Sequence, residues 1–207
     1  TVVAWGSDTG ACSTEEEFLA GVTGTGTEED PYIIDTPEEF VYIVNYASTT
    51  SAGKFYKVAD GISAFNMGCY AEDATAEEIK ANLSGWNSYY FNADQTSFQG
   101  TFDGNGVVFY GVHNSSYHAG LFPKVSGTEV TIKNVTVASS YFNATGDAAG
   151  GLIGNVSATT VNIENCAVVN CYINGGTNVT RGSLAAQTSG TTTANINSCY
   201  IAGNLFD

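Results

Sequence analysis

Positive charge, proline and long apolar runs are all scarce in this chain. Only six Lys and Arg stand against 21 Asp and Glu among 207 residues, a formal net charge of -15. Such a surface repels phosphate backbones and anionic lipid, which argues against nucleic-acid and membrane-surface binding. No stretch approaches the ~20 uninterrupted apolar residues needed to cross a bilayer, so no membrane insertion is expected of this segment. Thr1-Val2-Val3-Ala4-Trp5 has no basic stretch leading into an apolar run, and the chain reads as soluble and already processed or excised. There are three prolines and none follows Pro123, which leaves the second half open to continuous strands. Two histidines, His113 and His118, lie far from the cysteines, and none of Cys12, Cys69, Cys166, Cys171 and Cys199 forms a C-x-x-C pair. A Cys/His zinc site has no spacing to build on. An extracellular setting would permit a disulfide, with Cys12 and Cys69 the first candidates, and the later three suit buried thiols. What is present is a composition 43% hydrophobic and 12% aromatic with only 13% charged, enough for a core and unlike a disordered chain.

Seventeen of the acidic residues lie at or before Asp103, and the rest of the chain is dominated by Gly, Asn, Ser, Thr and Val. This divides it into a first zone with helix signals and a second of short β-type runs. Residues 1–66 form a capping segment and first coil, 67–97 an insertion with a short helix, and 98–207 repeat coils. Glu15 to Ala20 suits a brief helical turn. Thr36-Pro37-Glu38-Glu39 is a capping box with proline in the first turn, and Phe40, Ile43, Val44 and Ala47 then share one helical face, predicting a helix laid against a sheet. A second box, Thr75-Ala76-Glu77-Glu78, opens the helix of the insertion.

Beyond Phe98 the chain repeats. Gly120-Leu121-Phe122 recurs as Gly151-Leu152-Ile153 and weakly as Ser183-Leu184-Ala185. Ile132-Lys133-Asn134-Val135-Thr136-Val137 recurs as Ile163-Glu164-Asn165-Cys166-Ala167-Val168 and Ile196-Asn197-Ser198-Cys199-Tyr200-Ile201, with Phe109-Tyr110-Gly111-Val112 a degenerate earlier copy. Apolar residues two apart on either side of an Asn or Ser mean two short strands joined at a corner. A corner recurring about every thirty residues means coils that bury their apolar face only by stacking. The fold class predicted is all-β, a parallel β-helix in which Ile132, Ile163 and Ile196 form one inward ladder, Val137, Val168 and Ile201 another, and Cys166 lies under Cys199.

These residues resemble the right-handed β-helices of bacterial and some archaeal cell-surface proteins with GLUG repeats. The motif, Gly-Leu-any-Gly, appears in Ala149-Gly150-Gly151-Leu152-Ile153-Gly154. Phe98 to Gly106 resembles the turn-rich coil that precedes such repeats, and Gly24 to Phe40 their N-terminal capping segment. The chain departs from the pattern at Pro123, which replaces a closing glycine, and at Ser183-Leu184-Ala185-Ala186, which has lost both; distorted coils are expected there. The resemblance implies an adhesin-like, extracellular, cell-surface setting, within a longer chain, and no established chemistry.

The expected function is therefore an adhesion or scaffold segment that meets a host or microbial surface glycan or protein through loops on a stiff rod. The alternatives are a carbohydrate-binding module and a polysaccharide lyase or hydrolase. Catalysis is disfavoured because the repeats offer only Lys124, Lys133 and Arg181 as cations and Glu129, Asp147 and Glu164 as internal carboxylates, at non-equivalent positions. Candidate ligand-binding residues are the aromatics Trp86, Tyr89 and Tyr90 of the insertion and the loop pair Tyr117 and His118, where rings can stack on a sugar. No cofactor is expected. Asp103-Gly104-Asn105-Gly106 reads as a tight turn, and Glu28-Glu29-Asp30 with Asp35 as a solvated patch holding calcium at most weakly. Sequons occur at Asn82, Asn114, Asn134, Asn143, Asn155 and Asn178; Asn134 also suits a corner ladder with Asn165.

Overall fold

The computed structural model describes residues 1–6, 12, 14–83, 91 and 96–207. Along them run β1 (Val2–Ala4), α1 (Glu15–Gly21), β2 (Tyr32–Ile34), α2 (Pro37–Asn45), β3 (Phe55–Val58), β4 (Ala64–Asn66) and α3 (Ala76–Ala81). The coils follow. The first holds β5 (Thr101–Tyr110), β6 (His113–Asn114) and β7 (His118–Ala119); the second β8 (Phe122–Ala138), β9 (Tyr141–Ala144) and β10 (Ala148–Gly150). The third holds β11 (Ile153–Glu164), β12 (Ala167–Val169), β13 (Tyr172–Gly175) and β14 (Thr180–Gly182), and the last β15 (Ala185–Thr188), β16 (Thr193–Asn197), β17 (Tyr200–Ala202) and β18 (Leu205–Phe206). All named strands pair in parallel and build a β-solenoid of about three turns. Its main wall is the sheet containing β5, β8 and β11; β6-β9-β13-β18 and β7-β10-β14 form two narrower walls.

The corners explain the repeat. Asn134, Asn165 and Ser198 have φ of 57°, 50° and 54°, the left-handed region that Asn enters at small cost. Their side chains join the coils: Asn165 Nδ2 donates to Asn134 Oδ1 at 2.9 Å, and Asn134 Nδ2 to Asp103 Oδ1 at 2.8 Å. A second left-handed column, Gly111, Ser139, Asn170 and Gly203, turns the chain out of the main wall. Between the corners the predicted ladders are in register, with Ile163 opposite Ile132 and Ile196, and Val168 opposite Val137 and Ile201. The ladders extend back to Phe102, opposite Ile132, and to Phe109, opposite Val137. The degenerate first copy is therefore corrected: Phe109 fills the Val137 position, and Phe102 takes the isoleucine's place.

The expected distortion at Pro123 and Ser183 is also corrected. Ile153 pairs with Phe122 below and Ala185 above, so the register passes through both sites. The glycines that the turn demands stand one position earlier. A Cβ on Gly150 would lie 1.9 Å from the Ile153 carbonyl oxygen, and one on its partner Gly182 2.1 Å from that of Ala185. The third repeat has kept the glycine it needs.

Capping boxes at Thr14, Thr36 and Thr75 start the three helices. α2 does more than rest on a sheet, because all nine of its residues are buried. Phe40 packs on Phe102, Phe109 and Phe122 with ring centroids 4.4–5.4 Å apart, closing the first end of the solenoid like a plug. α1 covers it through Phe18 stacked on Tyr42 at 4.6 Å. α3 lies outside, its Ala76 and Ile79 clustering with Tyr141 and Tyr172 of the β9-β13 wall.

Cys12 and Cys69, the first candidates for a disulfide were one to form, are free thiols here, as are Cys166, Cys171 and Cys199. Cys69 is buried, its backbone N–H bonded to the Gly111 carbonyl, whereas Cys12 contacts the start of α1 at Thr14. Cys166 and Cys199 occupy equivalent rungs, donating to the carbonyls of Ile132 and Ile163 in the coil below at 3.5 Å. Burial pushes the thiols of Cys166 and Cys171 up to about 12, which keeps them inert as nucleophiles.

Candidate functional site

Of the five residues singled out for ligand contact, Trp86, Tyr89 and Tyr90 lie outside the described residues. The other two stand side by side where β7 begins. The Tyr117 ring is 47% exposed and meets His118 edge-on at 4.8 Å, while its inner face rests on Gly146. A Cβ on Gly146 would lie 2.5 Å from that ring, so the close seating of the tyrosine depends on this glycine. His118 Nδ1 lies 2.8 Å from Asp147 Oδ1 of the next coil. The result is a ring, an imidazole and a carboxylate on adjacent rungs.

His113 does not join this group. It sits on β6, 6% exposed, with its ring parallel to Tyr70 and edge-on to Tyr141, and Nδ1 3.1 Å from the Tyr70 hydroxyl. Burial lowers its pKa, favouring neutral imidazole. Tyr141 stacks in turn on Tyr172 at 5.2 Å, and Lys80 of α3 lies over the Tyr172 ring. This aromatic column fastens the insertion to the solenoid wall. It went unseen in the sequence because its members come from three coils and the segment before α3.

The main wall presents a polar outer face. Because side chains alternate across a strand, the inward Phe102, Ile132 and Ile163 leave Phe55, Thr101, Thr131, Asn162 and Asn195 in one outward row. Lys57, Asp103, Lys133 and Glu164 form the next, with the sign of charge alternating from coil to coil; opposite charges on facing rungs favour this register. Asn195 donates to Asn162, and Asn162 to both Glu129 Oε1 at 2.9 Å and Thr131 Oγ1 at 3.1 Å. Near the helical end the face deepens into a groove of about 440 Å³, lined by Glu28, Gly53, Phe55, Gln99, Gly100, Thr101, Glu129 and Thr131. An aromatic ring, two hydroxyls and two carboxylates on one groove suit a polyhydroxylated ligand. Sequence reading did not find it, since Glu28 and Phe55 are distant from Glu129 until the coils stack. The period linking Thr101 to Thr131 was the only available signal.

Carboxylates elsewhere serve the frame. Asp103 Oδ1 accepts from the backbone of Asn105 and from Asn134, both at 2.8 Å, so the Asp103–Gly106 turn is held by protein donors. Among the described residues, no group of three or more His, Cys, Asp or Glu is placed to hold a metal ion. Asn114 and Asn155 are buried with their amides bonded, to Gly120 and to Gln187 and Ser189 respectively, and Asn134 is a ladder rung; these three sequons have structural work, whereas Asn82 and Asn178 are exposed. Compared with known proteins, the chain matches no family model, no curated protein and no solved structure.

Proposed function

We propose that the chain is a stiff adhesion or scaffold segment of an extracellular, cell-surface protein, recognising a surface glycan or protein by shape. The observation that carries this reading is the outward face of the main wall, whose polar rows are held in register by side-chain hydrogen bonds between coils. Groups immobilised before a partner arrives lose little entropy on binding. The Tyr117 patch on another wall supplies a second contact point.

A carbohydrate-binding module is the second reading, favoured by the groove that combines Phe55 with the Thr101 and Thr131 hydroxyls. The test is a binding screen of the purified chain against plant, mucin and microbial polysaccharides, with calcium and with chelator, together with an assay for released sugar ends. Binding abolished by Phe55→Ala supports the carbohydrate reading, and binding lost on Tyr117→Ala moves recognition to the loops. New sugar ends would replace both readings by a polysaccharide lyase or hydrolase. No glycan binding leaves the protein-recognising scaffold, to be tested on cell-surface proteins.

A further inference from the structure

The groove on the main wall has a charge that narrows its ligand. Glu28 stands on a tight turn in which the amides of Thr25, Gly26 and Thr27 all donate to the Asp30 carbonyl at 2.9–3.2 Å. Gly26 in turn accepts the Phe55 amide, which seats this turn beside the start of β3. Tyr56 points into the core, so Phe55 points out, opposite Thr101 and in the row that continues through Thr131. Glu129 precedes Thr131 by two residues on the same face, and one amide holds both. Asn162 Nδ2 donates to Glu129 Oε1 at 2.9 Å and to Thr131 Oγ1 at 3.1 Å. Glu28, Phe55, Thr101, Glu129 and Thr131 all line the one groove of about 440 Å³.

The two carboxylates of the groove are uncompensated. Lysine is engaged elsewhere, with Lys57 paired to Asp60, Lys80 to Asp207, Lys133 to Asp103, and Lys54 lying over the Tyr32 ring. Among the described residues no Lys or Arg forms an ion pair with Glu28 or Glu129. A ligand that dries this groove brings two like charges into a medium where their repulsion grows. Sugar hydroxyls satisfy carboxylate lone pairs but leave that charge in place, and a uronate or sulfate adds to it. An ammonium group offsets it, through charge-assisted hydrogen bonds to the carboxylates and attraction to the face of the Phe55 ring.

From this we infer that the groove binds a polysaccharide of amino sugars whose nitrogen carries no acyl group, an inference that rests on the carbohydrate reading above and names its ligand class. A lysine-rich peptide offers the same ammonium groups, but it has no ring of hydroxyls for Thr101 and Thr131 and no pyranose face for Phe55. A sugar supplies both. The two threonines stand one coil apart, ~4.8 Å, which sets consecutive sugars on consecutive coils when the polymer lies along the solenoid axis. The net charge of -15 draws such a polycation in from a distance and turns anionic polysaccharides away.

The experiment is calorimetric titration of the 207-residue chain at slightly acid pH, where the amines are charged. The probes are a β-1,4-linked glucosamine hexamer, its fully N-acetylated counterpart, a galacturonic acid hexamer and a lysine hexamer. The glucosamine hexamer should bind at least ~10-fold more tightly than each of the others, and added salt should weaken it. Glu28→Gln/Glu129→Gln should weaken it by at least ~10-fold. Both side chains are exposed, so the fold should survive, as circular dichroism will check. Removing two charges from a chain of -15 changes its long-range attraction little, so a loss of that size belongs to the groove. If the double variant loses its fold, the ranking of the four probes on the unsubstituted chain decides. Equal or tighter binding of the N-acetylated hexamer keeps a carbohydrate groove and overturns the amine. A lysine hexamer that binds as well, or binding untouched by the double variant, overturns the inference too. If none of the four binds, the inference falls; the carbohydrate reading falls with it only when the wider polysaccharide screen is negative as well.

Discussion

Ile163 and Ile196 are the same residue in successive coils of one ladder, yet one is 1% exposed and the other 51%. The motif around them keeps the same pattern, an Ile with a Cys three residues on, so the difference lies in what stacks above. In a solenoid each coil contributes its own preference and the contact with its neighbours, and a terminal coil has half the contacts. The first end compensates with α2, whose Phe40 supplies the apolar surface that a further coil would have provided. The other end carries no such plug among the described residues.

Breaking the plug should have the largest effect. Phe40→Ala removes a fully buried ring that touches three other phenylalanines, and should cost about 3–5 kcal/mol, read as a lowered midpoint in urea. The ladder pair sharpens the comparison next. Ile163→Ala should cost about 2–5 kcal/mol, and Ile196→Ala at most about 1 kcal/mol. Equal costs would mean the last coil is covered in solution. Thr36→Ala comes third: it deletes the cap of α2, where Thr36 Oγ1 accepts the Glu39 amide at 3.2 Å, at about 0.5–2 kcal/mol.

The coils were legible because stacking forces the chain to repeat itself. An inward apolar pair, a left-handed corner and another pair must recur at the same interval, and Asn134, Asn165 and Ser198 advertise the corner. The second corner was hidden because Gly111, Ser139, Asn170 and Gly203 meet the same backbone demand with three residue types. The α2 prediction got its start and apolar face right but missed that Val41 and Tyr42 are covered too, since periodicity describes a helix with one wet side. The candidate site was less readable. Tyr117 and His118 are neighbours in sequence and could be paired on sight, but Asp147 joins them through a rung, and the groove residues Glu28, Phe55 and Glu129 come from three distant segments. Contacts made by stacking leave a trace only where both partners repeat.

The smallest effect isolates the electrostatics of the plug. Glu39 is 8% exposed at the start of α2, its Oε2 accepting the backbone amides of Asp35 at 2.9 Å and Thr36 at 3.3 Å. Burial raises its pKa above the ordinary 4.5, helped by the nearby Asp35 charge and opposed by those two amides. A carboxyl whose folded pKa is raised binds its proton more readily in the native state, so native stability gains as pH falls through the window above 4.5. Asp60, Glu78 and Asp207 have lowered values and work in the opposite direction. They are common to the parent and to Glu39→Gln, which cannot titrate at this site, so the difference between the two chains cancels them. Urea midpoints measured from neutral pH down to about 4.5 should show the parent gaining on the variant as acid is added. A parent-minus-variant difference that stays constant or falls as acid is added would mean that the backbone donors match or outweigh burial and that Glu39 is held as a carboxylate at the closed end.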